Sequence, residues 1–152
     1  MTRLIVGLGN LDRGDDGLGV DVAHRILSLS PTGIEVVTTD DPTSLLDLWA
    51  SSDDVVVVDA LVSHREPGTV VRVDVAVEGL PSKGWSAGGS HALGLATAVE
   101  LSRALGRLPS RLVLVGVEVG STEPGSAMSP AVAAAVDTAV RTALAVLEEG
   151  RR

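Results

Sequence analysis

DVVVVDALVSHREPGTVVRVDV, residues 54–75, joins two apolar runs through only seven residues, VSHREPG. The unbroken valines Val55 to Val58 show no polar alternation, so they read as a strand covered on both faces, the habit of a parallel sheet. A parallel crossover takes roughly a dozen residues or more. TVVRVDV, residues 69–75, is therefore expected to pair antiparallel with the strand before it or to leave the sheet. Its alternation, Arg72 and Asp74 against Val71, Val73 and Val75, suits a half-exposed edge strand.

Reading outward gives the other elements. Leu4 to Leu8 reads as a buried strand. Asp15 or Asp16 can cap a helix reaching about Leu29, with Leu18, Val22, Ile26 and Leu29 on one stripe. IEVVTT, residues 34–39, is a second strand, and Pro42 suits the first position of a short helix to about Ala50. Downstream, AVEGLPSKGWSAGGS (residues 76–90) has four glycines in fifteen residues and no period; loops of that length tend to be functional. A helix is expected from about His91 to Leu105, then the strand RLVLVGVEV, residues 111–119. Ser129 as cap and Pro130 at the first turn open a last helix facing inward through Val132, Val136, Val140, Leu144 and Leu147. The pattern predicts one α/β domain over residues 1–152. It has three layers: a mostly parallel twisted sheet of about five strands with one antiparallel edge strand, and helices on both faces.

Composition narrows the function. Phe and Tyr are absent, leaving Trp49 and Trp85 as the aromatic residues, too few for a base-stacking nucleic-acid surface. Twelve basic against twenty acidic residues give a formal charge of −8, which disfavours nucleic-acid phosphates as partners. With no cysteine, thiolate metal sites and cysteine nucleophiles are excluded. No secretory signal pattern opens the sequence, and apolar runs fall short of the roughly 18–20 residues of a bilayer span. A soluble, cytoplasmic protein that binds neither membrane nor nucleic acid is expected, as a monomer.

The loop after the first strand, GLGNLDRGDDG (residues 7–17), resembles a phosphate cradle and fails on charge. A dinucleotide fingerprint needs a third glycine where Asp12 stands, a P-loop needs a lysine, and two carboxylates at a helix entrance repel a phosphate. LIVGLGN also resembles the first strand of peptidyl-tRNA hydrolases, but that likeness ends at Asn10. Carboxylates at strand ends hold cations instead. Asp16 follows the first strand, Asp59 ends VVVV, and His91 stands where the long loop meets a helix. Together they make an oxygen/nitrogen site suited to nickel, zinc or another first-row ion. Each residue also has a plain structural reading: Asp15 or Asp16 as an N-cap, Asp59 as a turn acceptor, His91 as a helix-end histidine. His64 is expected to face solvent, as a lesser candidate, and His24 to lie on a helix surface.

Four segments, GLGNLDRGDDGLGV, VVVVDALVSHREPGTVVRV, SHALGLATAVELSRALGRLPSRLVLVGVEV and AMSPAVAAAV, resemble in order those of the hydrogenase maturation endopeptidases, across residues 3–147. The resemblance implies a metal-dependent peptidase that removes the C-terminal extension of a nickel-loaded hydrogenase large-subunit precursor. It puts metal-ligand roles on Asp16, Asp59 and His91, with Asp16 one methylene shorter than the more usual glutamate. It implies that nickel carried by the precursor is the recognition element, another divalent first-row ion being the alternative. Asp15, beside the first ligand, is expected to orient it or take a proton. A non-catalytic chaperone of the same fold, binding metal or precursor, is the alternative reading.

Overall fold

Val55, Val56, Val57 and Val58 are all fully buried, because their strand lies in the middle of the sheet with helices on both sides. A computed structural model of the chain describes residues 2–79, 94–120 and 125–151. Among these residues the sheet has five strands: β1 (Arg3–Leu8), β2 (Ile34–Thr39), β3 (Asp54–Leu61), β4 (Val70–Asp74) and β5 (Arg111–Glu118). Their order is β2-β1-β3-β5-β4. Every pairing is parallel except β4 with β5.

The expected antiparallel edge strand is present, but its partner is β5 rather than β3. The reason is occupancy: β3 already has β1 on one edge and β5 on the other. The chain therefore crosses the end of β5 and runs back along its free edge, Val70 opposite Val117 and Asp74 opposite Val113. Gly68 N–H donates to the Glu118 carbonyl at 2.8 Å, and Glu118 N–H to the Thr69 carbonyl at 2.9 Å, so the ladder begins within the connection.

Alternation along each strand feeds two cores. On one face α1 (Leu18–Ser28) and α5 (Pro130–Glu149) bury Leu18, Val22, Ile26, Val136 and Leu147 against Ile5, Val56, Val58 and Val115. On the other, α2 (Leu45–Leu48) and α4 (Leu95–Ala104) cover Leu4, Val6, Val55, Val57 and Leu114. Trp49 is buried there too, and its indole N–H donates to Ser102 Oγ at 2.9 Å, joining the end of α2 to α4.

Several boundaries differ from expectation. α1 ends at Ser28, so Leu29 leaves the stripe and is exposed. The Pro42 helix starts as a tight 3-10 turn, Pro42–Ser44, capped by Asp41 through Thr43 N–H. A short helix, α3 (Val75–Glu78), occupies sequence read as strand end and loop. α4 begins at Leu95, with extended Gly94 as its cap, rather than near residue 91. At twenty residues, α5 is long and apolar enough by composition to cross a membrane, contrary to the sequence reading; here its inner face is packed on the sheet.

Candidate active site

The order of the strands reverses between β1 and β3: the chain leaves β1 for β2 on one side, and β3 leads towards β4 and β5 on the other. Loops diverging from such a switch point leave a crevice at the carboxyl ends of the strands, where open α/β sheets gather ligands. Asp16 comes from the loop after β1 and Asp59 from the end of β3, so the two acids flank that point. Asp16 is 7% exposed and Asp59 fully buried.

Close backbone packing brings the first acid there. A methyl group on Gly19 of α1 would lie 2.4 Å from the Val58 carbonyl oxygen and 2.5 Å from that of Leu8, and one on Gly7 only 2.2 Å from the Gly19 carbonyl oxygen. Helix α1 thus rests directly on the backbone of β1 and β3, and the turn before it, Gly14–Gly17, packs against β3. Gly9, at φ +149°, turns the chain out of β1; a side chain there would strike the Asp16 carbonyl oxygen at 2.0 Å. The loop folds on itself through Asn10 N–H to the Asp16 carbonyl (3.1 Å) and Asp12 N–H to Asn10 Oδ1 (2.8 Å). The glycines serve close packing and a turn rather than a phosphate.

Neither Asp15 nor Asp16 caps a helix: no side-chain cap bond is made at the Gly14–Gly17 turn or at α1. The Asp15 carboxylate is fully buried and points to the far side of the switch point. Its Oδ1 accepts from Ser129 N–H at 2.6 Å; its Oδ2 accepts from Gly120 N–H and from Ser129 Oγ, both at 2.7 Å. Asp15 therefore ties the loop after β1 to the exit of β5 and the start of α5. Ser129, expected to cap α5, occupies the cap position without a side-chain cap bond, because its hydroxyl is spent on Asp15.

On β3, Asp59 lies opposite Gly116 of β5. Its Oδ1 accepts from Ala60 N–H at 2.8 Å, which orders the carboxylate against its own strand. Val57 and Leu61 belong to the core under α4, and strand alternation places Asp59 on that face with them. Just beyond, the connection to β4 is held by a second buried acid. Glu118, 2% exposed, accepts from Ser63 N–H on both carboxylate oxygens and from the Ser63 hydroxyl. A charged residue inside the buried run VGVEV was the sequence signal for this clamp.

On the other side of β1, an open cleft of about 330 Å³ is lined by Gly9, Asn10, Leu11, Thr38, Thr39 and Asp40 and adjoins the Asp16 loop. His64 and His24 are exposed, as expected. His91, Trp85 and most of the long glycine loop lie outside the described residues. Among the described residues, no three His, Asp or Glu side chains gather closely enough to hold a metal ion.

A family model of hydrogenase maturation proteases, HycI, matches residues 39–146. The chain belongs to the hydrogenase maturation proteases. It is 31% identical to the hydrogenase 2 maturation protease of Escherichia coli, over 98% of this chain and 92% of that protein. Its fold superimposes on the hydrogenase-maturating endopeptidase HybD of E. coli with a TM-score of 0.78 at 28% identity, covering 99% of this chain and 94% of the other. The HybD protease of Thermococcus kodakarensis gives 0.72 at 28% identity, covering 96% and 99%. The protein is thus an endopeptidase of this family. The match at residues 39–146 takes in Asp59 and His91, and the longer likeness to the E. coli protease spans nearly the whole chain.

Proposed function

We propose that this maturation protease removes the C-terminal extension of a hydrogenase large-subunit precursor, and that it acts on the precursor once nickel has been inserted. The observation that carries the reading is the placement of two buried acids at the switch point of the sheet, Asp16 in the loop after β1 and Asp59 near the end of β3. Oxygen donors of this kind suit a first-row divalent ion. His91, four residues before α4 in the sequence, is the imidazole proposed to complete the set.

In this account the nickel belongs to the substrate, and Asp16, Asp59 and His91 approach it as the precursor docks. An ion so held polarises a neighbouring carbonyl and lowers the pKa of bound water towards roughly 7. The protein's own contribution is position. Asp59 is fixed by the Ala60 N–H on a buried strand, and Asp16 by a loop that closes on Asn10 and is latched through Asp15. With no cysteine in the chain, nothing of its own offers a thiolate to compete for a borderline metal.

The test is the mass of the precursor before and after incubation. Asp16→Asn, Asp59→Asn and His91→Ala are each expected to lower processing at least about 100-fold, on the scale of removing a preorganised charged group from a catalytic site, with circular dichroism unchanged. Full activity in any two of the three would show that the site lies elsewhere.

A further inference from the structure

The connection from β3 to β4 leaves the same edge of the sheet as Asp59, and it holds an unusual backbone. His64 has φ +67°, in the left-handed region that side chains other than glycine seldom occupy. The residue before it is fastened through backbone N–H and hydroxyl to buried Glu118. The far end of the connection is fastened too, by Gly68 N–H to the Glu118 carbonyl, with Gly68 lying against the Ala131 backbone of α5. A buried carboxylate and a left-handed histidine are both costly, and such features persist where the surroundings over-determine them, most often at functional sites.

At its tip the clamp displays His64, Arg65 and Glu66, all exposed, so its fixed charges are one guanidinium and one carboxylate. The Arg65 guanidinium donates to Ser63 Oγ, the same hydroxyl that Glu118 fixes, and among the described residues it makes no ion pair. Arg25, Arg72, Arg103, Arg107, Arg111 and Arg151 each pair with a carboxylate of this chain, whereas Arg3 and Arg141, like Arg65, hydrogen-bond only to neutral oxygens among the described residues. In a chain of net charge −8, a guanidinium held in place by Ser63 on the connection that follows Asp59 is a positioned cation. A permanently charged guanidinium repels a metal ion and suits a carboxylate, which it binds in a fork geometry.

We propose that the His64–Arg65 tip is a specificity element that binds a carboxylate of the precursor's C-terminal extension and so holds the extension across the site. This deepens the proposed function and rests on it. The carboxylate is either an acidic side chain of the extension or its terminal α-carboxylate.

The experiment uses the full-length chain and a synthetic peptide spanning the cleavage site and the whole extension, in three forms: unaltered, amidated at its C-terminus, and with Asp and Glu changed to Asn and Gln. Affinity is read by calorimetry, and cleavage of the nickel-loaded precursor by mass. Arg65→Glu is expected to weaken binding of the unaltered peptide about tenfold or more and to raise KM with kcat unchanged. The form lacking the relevant carboxylate should bind Arg65→Glu and the parent alike, which names the carboxylate. His64→Gly is expected to raise the unfolding midpoint, since glycine adopts this backbone without strain, while weakening peptide binding. Unchanged binding and KM in both variants would overturn the inference. Absence of precursor cleavage by the parent protein would instead strike the proposed function, and the peptide affinities would still decide the role of the tip.

Discussion

Replacing Asp15 by alanine tests how the loop after β1 is held. The change deletes three hydrogen bonds of 2.6–2.7 Å from Gly120 and Ser129 to a fully buried carboxylate. Two of the donors are backbone N–H groups, and a stranded donor costs about 1–3 kcal/mol, giving about 2–6 kcal/mol for the pair. Two effects oppose this. The Ser129 hydroxyl, released from Asp15, is free to cap α5 and recover about 1 kcal/mol, and a buried charge no longer has to be desolvated. The net expectation is a loss of about 3 kcal/mol, or a fall in Tm of roughly 6–12 °C for a chain of this size. Urea unfolding measures it, with the slope m unchanged. Ser129→Ala alone should cost about 1–2 kcal/mol, and in the Asp15→Ala background it should cost only the freed cap, about 1 kcal/mol. An Asp15→Ala loss under about 1 kcal/mol would refute the latch.

Other consequences follow from the same geometry. Gly19→Ala should cost about 3 kcal/mol or more, at the upper end of overpacking penalties, because its methyl group would meet two backbone carbonyls at 2.4–2.5 Å; a loss below about 1 kcal/mol would mean that α1 is free to lift from β1 and β3. The neighbours Asp53 and Asp54 should shape acid stability in opposite senses. Burial raises the pKa of Asp54 from 3.8, with Arg111 opposing, so its folded form prefers the proton. Its contribution is present below the unfolded value and lost as pH rises through the folded one. The stability of the parent relative to Asp54→Asn should therefore fall as pH is raised through the window above 3.8. Bonds from the Thr2 N–H and hydroxyl lower the pKa of Asp53, so the parent's advantage over Asp53→Asn should be present above pH 3.8 and shrink as pH drops below it. Denaturant unfolding as a function of pH reads both; slopes of the same sign would contradict the assignment.

The sheet was legible wherever apolar runs met clear punctuation. VVVV announced a strand covered on both faces, and IEVVTT matches β2 at both ends. The partner of β4 was not legible, because a seven-residue connection shows only that a strand cannot return parallel; the occupied edges of β3 are a property of the whole sheet. Local signals were also outbid by distant ones. Asp15 and Ser129 each looked like a helix cap, and they hydrogen-bond each other across 114 residues instead. The α3 turn was marked after all: Asp74 accepts from Ala76 N–H while Glu78 reaches back to Asp74 N–H, a reciprocal pair at an entry read as the end of a strand. Of the candidate site, Asp16 and Asp59 could be picked out from charge at strand ends, and their position on either side of the switch point needed the strand order.

The central claim, that Asp16 and Asp59 serve a peptidase reading nickel in its substrate, is tested most directly by offering the protein equal amounts of nickel-loaded and nickel-free precursor and following the mass of each with time. The account predicts that the loaded precursor loses its extension while the nickel-free one keeps its full mass. Equal rates on the two precursors would contradict it.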